Sequence, residues 1–211
     1  MSIKYKNFYG QIISEQQIAN LDEYYKAYYD NILLLKEEYY YEGVFVRLHY
    51  YNTNSESHQD IINNNLNPSS VYSLVIIEEE AVATTLQLRK KYLYDSSGVA
   101  FGRINQLFDP SGDEIGFEFI DTSGVTDYYR TRKYYWDRSV NPNKELLECR
   151  FDETTGGLIE IEVNNEHMDY SGQESIVLLN TAADKQTLMD LTGMSQDLAD
   201  YYMVSAVIPT F

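Results

Sequence analysis

The groups in this 211-residue sequence that could do chemistry are few, and most of them are carboxylates. His167 lies in the segment NNEHMDY, with Glu166 and Asp169 close by. A histidine beside a carboxylate can act as a general base or as half of a metal site. In a chain with 33 acidic residues such a neighbour also arises by chance. The segment therefore raises a hydrolase hypothesis based on Glu166, His167 and Asp169.

Glu160 and Glu162 form a second pair of carboxylates, in the alternating segment LIEIEVN. The alternation predicts a strand with Leu158, Glu160 and Glu162 on one face and Ile159, Ile161 and Val163 on the other. Paired carboxylates are the catalytic groups of glycosidases. Two residues apart on one strand, however, they lie side by side and not across a sugar ring. The simpler interpretation is the solvated face of an edge strand.

The segment DPSGDE offers oxygen donors at Asp109, Ser111, Asp113 and Glu114, as a calcium loop would. A twelve-residue calcium loop ends on a bidentate Glu, but the twelfth position here is Ile120. The same segment also fits a type I turn, which favours Asp first, Pro second and Gly fourth. We favour the turn and keep calcium as the alternative.

Three pentapeptides share the turn pattern: YDSSG at Tyr94, FDPSG at Phe108 and IDTSG at Ile120. FDETTGG at Phe151 is a looser fourth copy. We predict that each closes a hairpin. From Tyr92 to Gly157 the pattern resembles the YD repeats of RHS-type shell proteins, which form a long β-meander, although the spacings here are uneven.

The segment YYRTRKYYWDR alternates aromatic and basic residues and contains Arg132, Tyr134, Tyr135 and Trp136. Tyr, Trp and Arg dominate the binding energy of protein interfaces, so these four are candidate partner-binding residues. The alternative is a strand whose cationic residues face solvent over a tyrosine-lined core. No nucleotide-binding, serine-hydrolase or zinc-protease motif occurs, and we expect no cofactor and no metal.

The formal net charge is −17, and residues 145–200 hold 13 acidic and 2 basic side chains. This charge disfavours binding to nucleic acid and to anionic membranes. It favours rapid capture of a basic protein, or it simply keeps the chain in solution. Candidate acidic binding residues are Glu160, Glu162, Glu166 and Asp169.

The single Cys149 excludes an intrachain disulfide. The N-terminus lacks the apolar run of a signal peptide, so we expect a cytoplasmic protein.

The coarse pattern predicts an α+β fold: an N-terminal helix, a central antiparallel β-meander sheet and C-terminal helices. A capping box at Ser14 and Gln17 precedes apolar residues spaced by three and four, which predicts a helix as far as about Tyr40. The chain is expected to form a single domain, 1–211. Its possible parts are a helical 1–70, an antiparallel sheet over 71–180 and a helical 181–211.

In general character the chain is similar to the immunity proteins of bacterial polymorphic-toxin systems. That resemblance is one of size, acidity and tyrosine content. It implies a module that blocks a basic toxin or nuclease domain by occlusion, and not an enzyme. Two alternatives stay open: a structural or assembly subunit of a phage or secretion apparatus, which would form homo-oligomers, and a hydrolase with the carboxylate–His site described above.

Overall fold

The computed structural model describes residues 1–67, 69–82, 85–139, 144–163, 177–178 and 184–209. These residues form thirteen strands and four helices, and the helices have only 4 to 8 residues each. In chain order the elements are β1 Ser2–Asn7, β2 Ile12–Ile13, α1 Glu15–Ile18, β3 Glu23–Asp30, β4 Leu33–Tyr41, β5 Val44–Tyr51, α2 His58–Asn65, β6 Ser73–Val82, β7 Leu86–Tyr94, β8 Ala100–Phe108, β9 Glu114–Ile120, β10 Thr126–Asp137, β11 Lys144–Phe151, β12 Leu158–Val163, β13 Val177–Leu178, α3 Lys185–Thr192 and α4 Gln196–Tyr202.

The prediction of an α+β fold with a long N-terminal helix is wrong: the chain is mainly β. The capping box does start a helix, and Gln17 Oε1 accepts a hydrogen bond of 2.8 Å from the Ser14 backbone N–H. That helix, α1, ends after one turn at Ile18. The rest of the predicted helix is the hairpin of β3 and β4.

Tyrosine pairs explain the error. Two adjacent tyrosines place one ring on each face of a strand, so they stabilise a sheet from both sides. Tyr24 stacks on Tyr40 with ring centroids 4.8 Å apart. Tyr25 packs against Tyr39 at 5.0 Å, on the opposite face of the same two strands. Their spacing of three and four from other apolar residues matched a helical period by coincidence.

The chain divides into two compact units, Met1–Glu79 with Lys90–Arg103 and Glu80–Arg89 with Ile104–Phe211. In the first unit the strands are hydrogen-bonded in the order β2-β1-β3-β4-β5-β6, and β5 and β6 run parallel. The helix α2 supplies the connection that a parallel pair needs. Its Ile61 is buried in the core of this unit together with Leu48, Leu74, Ile76 and Tyr94.

The second unit contains the antiparallel series β9-β10-β11-β12-β13 and the helices α3 and α4. The predicted C-terminal helices are confirmed, with Gly193 in the left-handed conformation (φ 69°) where α3 ends. Alternate residues of β11, Leu147, Cys149 and Phe151, are buried in one core with residues of both helices. None of the helices in the described ranges is long and apolar enough to cross a membrane.

The pentapeptides are hairpin turns, as predicted. At Asp95, Asp109 and Asp121 the backbone N–H of the glycine three residues later donates to the Asp carbonyl. In each turn Oδ1 of the same Asp also accepts hydrogen bonds from the backbone N–H groups two and four residues later. The glycines have φ of 81°, 85° and 83°. The looser copy at Asp152 makes the same turn with one more residue, and Gly156 N–H donates to its carbonyl.

The predicted alternation in β12 holds only from Glu160 onward. Glu160 and Glu162 share one face, while Ile161 and Val163 are buried on the other. A bulge separates the pairs Arg150–Glu160 and Phe151–Leu158, so Ile159 is the additional residue. Leu158 consequently packs on the core and Ile159 is 56% exposed, the reverse of the expectation.

The β4–β5 turn provides a test of the corrected fold. Glu42 and Gly43 both have positive φ, 48° and 75°, as in a type I′ turn. We expect Gly43→Ala to lower the free energy of unfolding by about 1 kcal/mol and Glu42→Asn to raise it by about half as much. Urea unfolding measures both. A stabilising Gly43→Ala would contradict the left-handed conformation of Gly43 in this turn.

Candidate functional site

One face of β10, β11 and β12 carries a ladder of charged residues, which we call the charged face. It consists of one tyrosine, Tyr134, and six charged residues, Arg132, Glu145, Glu148, Arg150, Glu160 and Glu162. The α3 and α4 helices pack on the opposite, apolar face of these strands. Because side chains alternate along a strand, the burial of Leu147, Cys149 and Ile161 forces Glu148, Arg150 and Glu160 onto the charged face.

Arg150 lies at the centre of the ladder and contacts three carboxylates. Its Nε is 3.0 Å from Glu148 Oε1, its Nη2 is 2.8 Å from Glu162 and its Nη1 is 3.5 Å from Glu160. Glu160 is directly opposite Arg150 in the register. The two glutamates predicted to bind a partner are therefore held in place by one guanidinium.

Arg132 has a structural task as well as a place on the charged face. Its Nε is 2.9 Å from Glu148 Oε1. Its Nη1 donates to the carbonyl oxygens of Tyr129 and Thr131, at 2.6 and 2.7 Å. These carbonyls lie in an irregular segment of β10, where the pairing with β9 shifts between Asp127 and Arg132. Arg132 thus fixes the local backbone and the ladder together.

The carboxylates of the charged face are only partly balanced. Glu148 is directly opposite Glu162, and like charges in that position repel. Burial raises the pKa of Glu145 above its usual value, and Glu148, Glu162 and Glu114 raise it further. Burial likewise raises the pKa of Glu162 despite the opposing effect of Arg150. The site consequently carries an excess of negative charge.

Of the remaining predicted residues that the structure describes, Trp136 lies on the same face, opposite Glu145 in the register, and Tyr135 does not. Tyr135 is on the helix side of the sheet, edge-on to Tyr202 with ring centroids 6.2 Å apart. Trp136 is near the end of β10 and donates from Nε1 to the Glu114 carbonyl at 2.7 Å. Glu166, His167 and Asp169 lie outside the described residues.

The calcium alternative at Asp109 finds no support in the arrangement. Asp109 Oδ1 accepts backbone hydrogen bonds from Ser111 and Asp113, at 2.8 and 3.1 Å, and Oδ2 is in contact with Arg138. Across the part of the chain that the structure describes, no group of three or more His, Cys, Asp or Glu side chains could hold a metal ion.

Sequence reasoning missed a hydrogen-bonded chain at the start of α2. His58 Nδ1 is 2.8 Å from the Tyr94 hydroxyl, and its Nε2 is 3.0 Å from Glu78 Oε1. Asn52 donates to the same Glu78 oxygen at 2.9 Å. Glu78 and Tyr94 are 20 and 36 positions away from His58, so no local pattern could reveal these contacts. They attach the first turn of α2 to β6 and β7.

It also missed Lys133, which is completely buried in the second unit. Lys133 Nζ donates to the Tyr201 carbonyl at the end of α4 and lies 3.4 Å from the centroid of the Tyr201 ring. Burial lowers the pKa of Lys133 to about 7, against smaller opposing effects of Cys149 and Glu118. The alternative interpretation of YYRTRKYYWDR has its cationic residues facing solvent, but Lys133 of this segment joins the sheet to the C-terminal helix instead.

Lys133 predicts a specific pH dependence of stability. Its pKa is lower in the folded chain than in the unfolded chain, so between pH 7 and 8.5 the unfolded state binds more protons. The free energy of unfolding should therefore rise with pH in this window, on the order of 1 kcal/mol per pH unit. In Lys133→Met the rise should disappear, whereas the exposed Lys4→Met should keep it. Urea unfolding at several pH values measures the slopes, and equal slopes in all three proteins would contradict the assignment.

Glu145 predicts a dependence of the opposite sign. A carboxyl whose pKa is raised on folding contributes stability that is present below its unfolded pKa and is lost as pH rises through its folded pKa. Glu145→Gln should therefore stabilise the chain at pH 7 and have little effect near pH 4. Glu153→Gln, in the exposed turn after β11, is the matched control. The measurement is urea unfolding at both pH values, and destabilisation by Glu145→Gln at pH 7 would contradict a pKa raised by burial and by the neighbouring carboxylates.

Comparisons of this chain with protein families, with curated proteins and with solved structures give no match. The residues of the charged face and their surroundings therefore carry the functional interpretation.

Proposed function

We propose that this chain is a protein-binding module whose charged face binds a basic partner protein. The observation that carries the proposal is the excess of carboxylates on this face, where Glu148 is directly opposite Glu162 and one guanidinium, that of Arg150, contacts three glutamates. A cationic side chain from a partner would relieve that repulsion. The free energy that this repulsion costs the free protein would then be recovered on binding.

The geometry of the ladder favours binding because it is already ordered. Glu148, Glu160 and Glu162 are oriented by Arg150, and their side chains are only 16–23% exposed. Ordered side chains lose little conformational freedom when a partner arrives. Tyr134 lies opposite Glu148 on the same face and adds an aromatic surface next to the acids.

Long-range electrostatics favours the same type of partner. The net charge of −17 attracts a cationic protein and accelerates its association at low ionic strength. It repels nucleic acid. A nuclease or toxin domain with a basic active site would meet carboxylates in the place of its substrate's phosphates, and the module would inhibit it by occlusion. An immunity or inhibitor role is the biological form of the proposal.

Assembly of several copies is the second candidate, and it rests on a separate observation. β2, at one end of the strand order, pairs with only Tyr5 and Lys6 of β1. Ile12 of this strand and the preceding Phe8 and Tyr9 are 59–85% exposed. Exposed apolar side chains at the edge of a sheet favour contacts between chains.

Capture from a host lysate separates the two candidates. We expect immobilised wild-type chain to retain one basic protein at low salt and to release it at high salt, as mass spectrometry would show. Glu160→Gln/Glu162→Gln should lose most of that protein. Glu42→Gln/Glu153→Gln changes the net charge equally at exposed turns and should retain it.

If both double variants lose the captured protein equally, only the total charge matters, and the proposal that the charged face is the specific binding surface is refuted. Capture of this chain alone would refute the basic partner and support assembly. Inhibition would be supported if the captured protein is toxic when it is expressed alone. Co-expression of the wild-type chain should then abolish the toxicity, and co-expression of Glu160→Gln/Glu162→Gln should not.

A further inference from the structure

A pocket of about 360 Å³ opens in the second unit where the end of β10 meets the β8–β9 turn and α4. The turn that borders it is DPSG, the copy whose Asp109 is buried. The side chains that matter for binding are those of Asp109, Tyr134, Trp136, Arg138, Leu198 and Tyr202.

The aromatic walls of this pocket are fixed. Trp136 Nε1 donates to the Glu114 carbonyl at 2.7 Å, and the Tyr202 hydroxyl donates to the Tyr134 carbonyl at 2.8 Å. Tyr135 packs edge-on against Tyr202. The rings of Trp136, Tyr135 and Tyr202 are thus held by a hydrogen bond or by an edge contact, and these walls need no reorganisation before a ligand enters.

One of the residues that line the pocket is a carboxylate that is almost completely buried. The Asp109 side chain is only 6% exposed, and its Oδ1 is used by the backbone of its own turn. Oδ2 is in contact with the Arg138 guanidinium, but among the described residues it accepts no well-aligned hydrogen bond. Arg138 itself is 48% exposed. The buried Asp109 carboxylate is therefore paired with an Arg138 guanidinium whose side chain is about half exposed to solvent.

These features match the chemistry of an arginine side chain. A guanidinium is flat, stacks on aromatic rings and donates paired hydrogen bonds to a carboxylate in its own plane. Lysine has no flat face to stack and a more tightly held hydration shell. Arg138 already places one guanidinium against Asp109 Oδ2.

We propose that this pocket binds an arginine side chain of the basic partner, which takes the place of Arg138 at Asp109. The inference rests on the proposed function and names the residue type that the partner supplies. Arg138 moves outward on binding, and the incoming guanidinium stacks on the aromatic side chains that line the pocket. The pocket supplies specificity, whereas the charged face supplies attraction.

Trp136 is the single tryptophan of the chain, so its fluorescence reports on the pocket directly. We would titrate the purified protein with a blocked Gly-Arg-Gly peptide and with the same peptide carrying citrulline, which keeps the shape and removes the charge. We expect a saturable change for the arginine peptide, with a dissociation constant on the order of millimolar for so small a ligand. The citrulline peptide should give none.

Two variants test the residues. Arg138→Gln removes the resident cation and should bind the arginine peptide several-fold more tightly. Asp109→Asn keeps the Oδ1 acceptor of the turn and should bind it roughly tenfold more weakly. Asp121→Asn makes the same change in the equivalent turn after β9 and is the control for turn stability. An unchanged midpoint of urea unfolding shows that each variant is folded.

The proposal of an arginine-binding pocket would be overturned if both peptides bind equally. It would also be overturned if neither wild type nor Arg138→Gln shows a saturable change in fluorescence. Tighter binding of free arginine than of the blocked peptide would indicate a small-molecule site and would overturn a protein partner as its ligand. If the peptide fails while capture by the charged face succeeds, only the pocket is refuted. If the peptide binds while capture fails, the pocket stands and the proposed function fails.

Discussion

One hydrogen-bonding scheme, repeated by aspartates at successive hairpins, fixes the register of the second half of the chain. In each turn a carboxylate oxygen accepts backbone N–H groups while a left-handed glycine reverses the strand. A slip of one residue would move every side chain to the other face of the sheet. The charge of Asp121 and Asp152 takes part. Backbone hydrogen bonds lower the pKa of Asp121, and hydrogen bonds from the Thr154 hydroxyl and from the backbone N–H of Thr155 lower the pKa of Asp152. The positions of the buried core and of the charged face both depend on these turns.

Given that register, two helices decide which face is available. The α3 and α4 helices cover the apolar side of β11 and β12, so the glutamates and arginines face away from them. The resulting ladder is not optimised for stability, because Glu148 is opposite Glu162 and Arg132 is opposite Arg150. A surface that keeps like charges adjacent costs free energy. A binding function is one reason for a protein to keep it.

The same unit keeps charge in its interior. Lys133 is completely buried beside Tyr201, and the buried Glu118 accepts a hydrogen bond of 2.6 Å from Asn105. Buried ionisable groups are expensive unless they are bonded, but they specify one arrangement of the elements that they join. Lys133 bonds the Tyr201 carbonyl and so determines where α4 ends on the sheet. The walls of the aromatic pocket, which include Tyr202, depend on that position.

The sequence by itself determined what is local. Turn chemistry predicted the hairpins at Asp95, Asp109 and Asp121, and period-two alternation predicted Glu160 and Glu162 on one face. Tertiary structure decided the rest. Paired tyrosines made β3 and β4 from a segment with a helical period, because cross-strand stacking outweighs local propensity. A bulge in β12 exchanged the faces of the sheet on which Leu158 and Ile159 were expected. The pocket joins a turn, a strand and a helix far apart in the chain, and only packing brings such residues together.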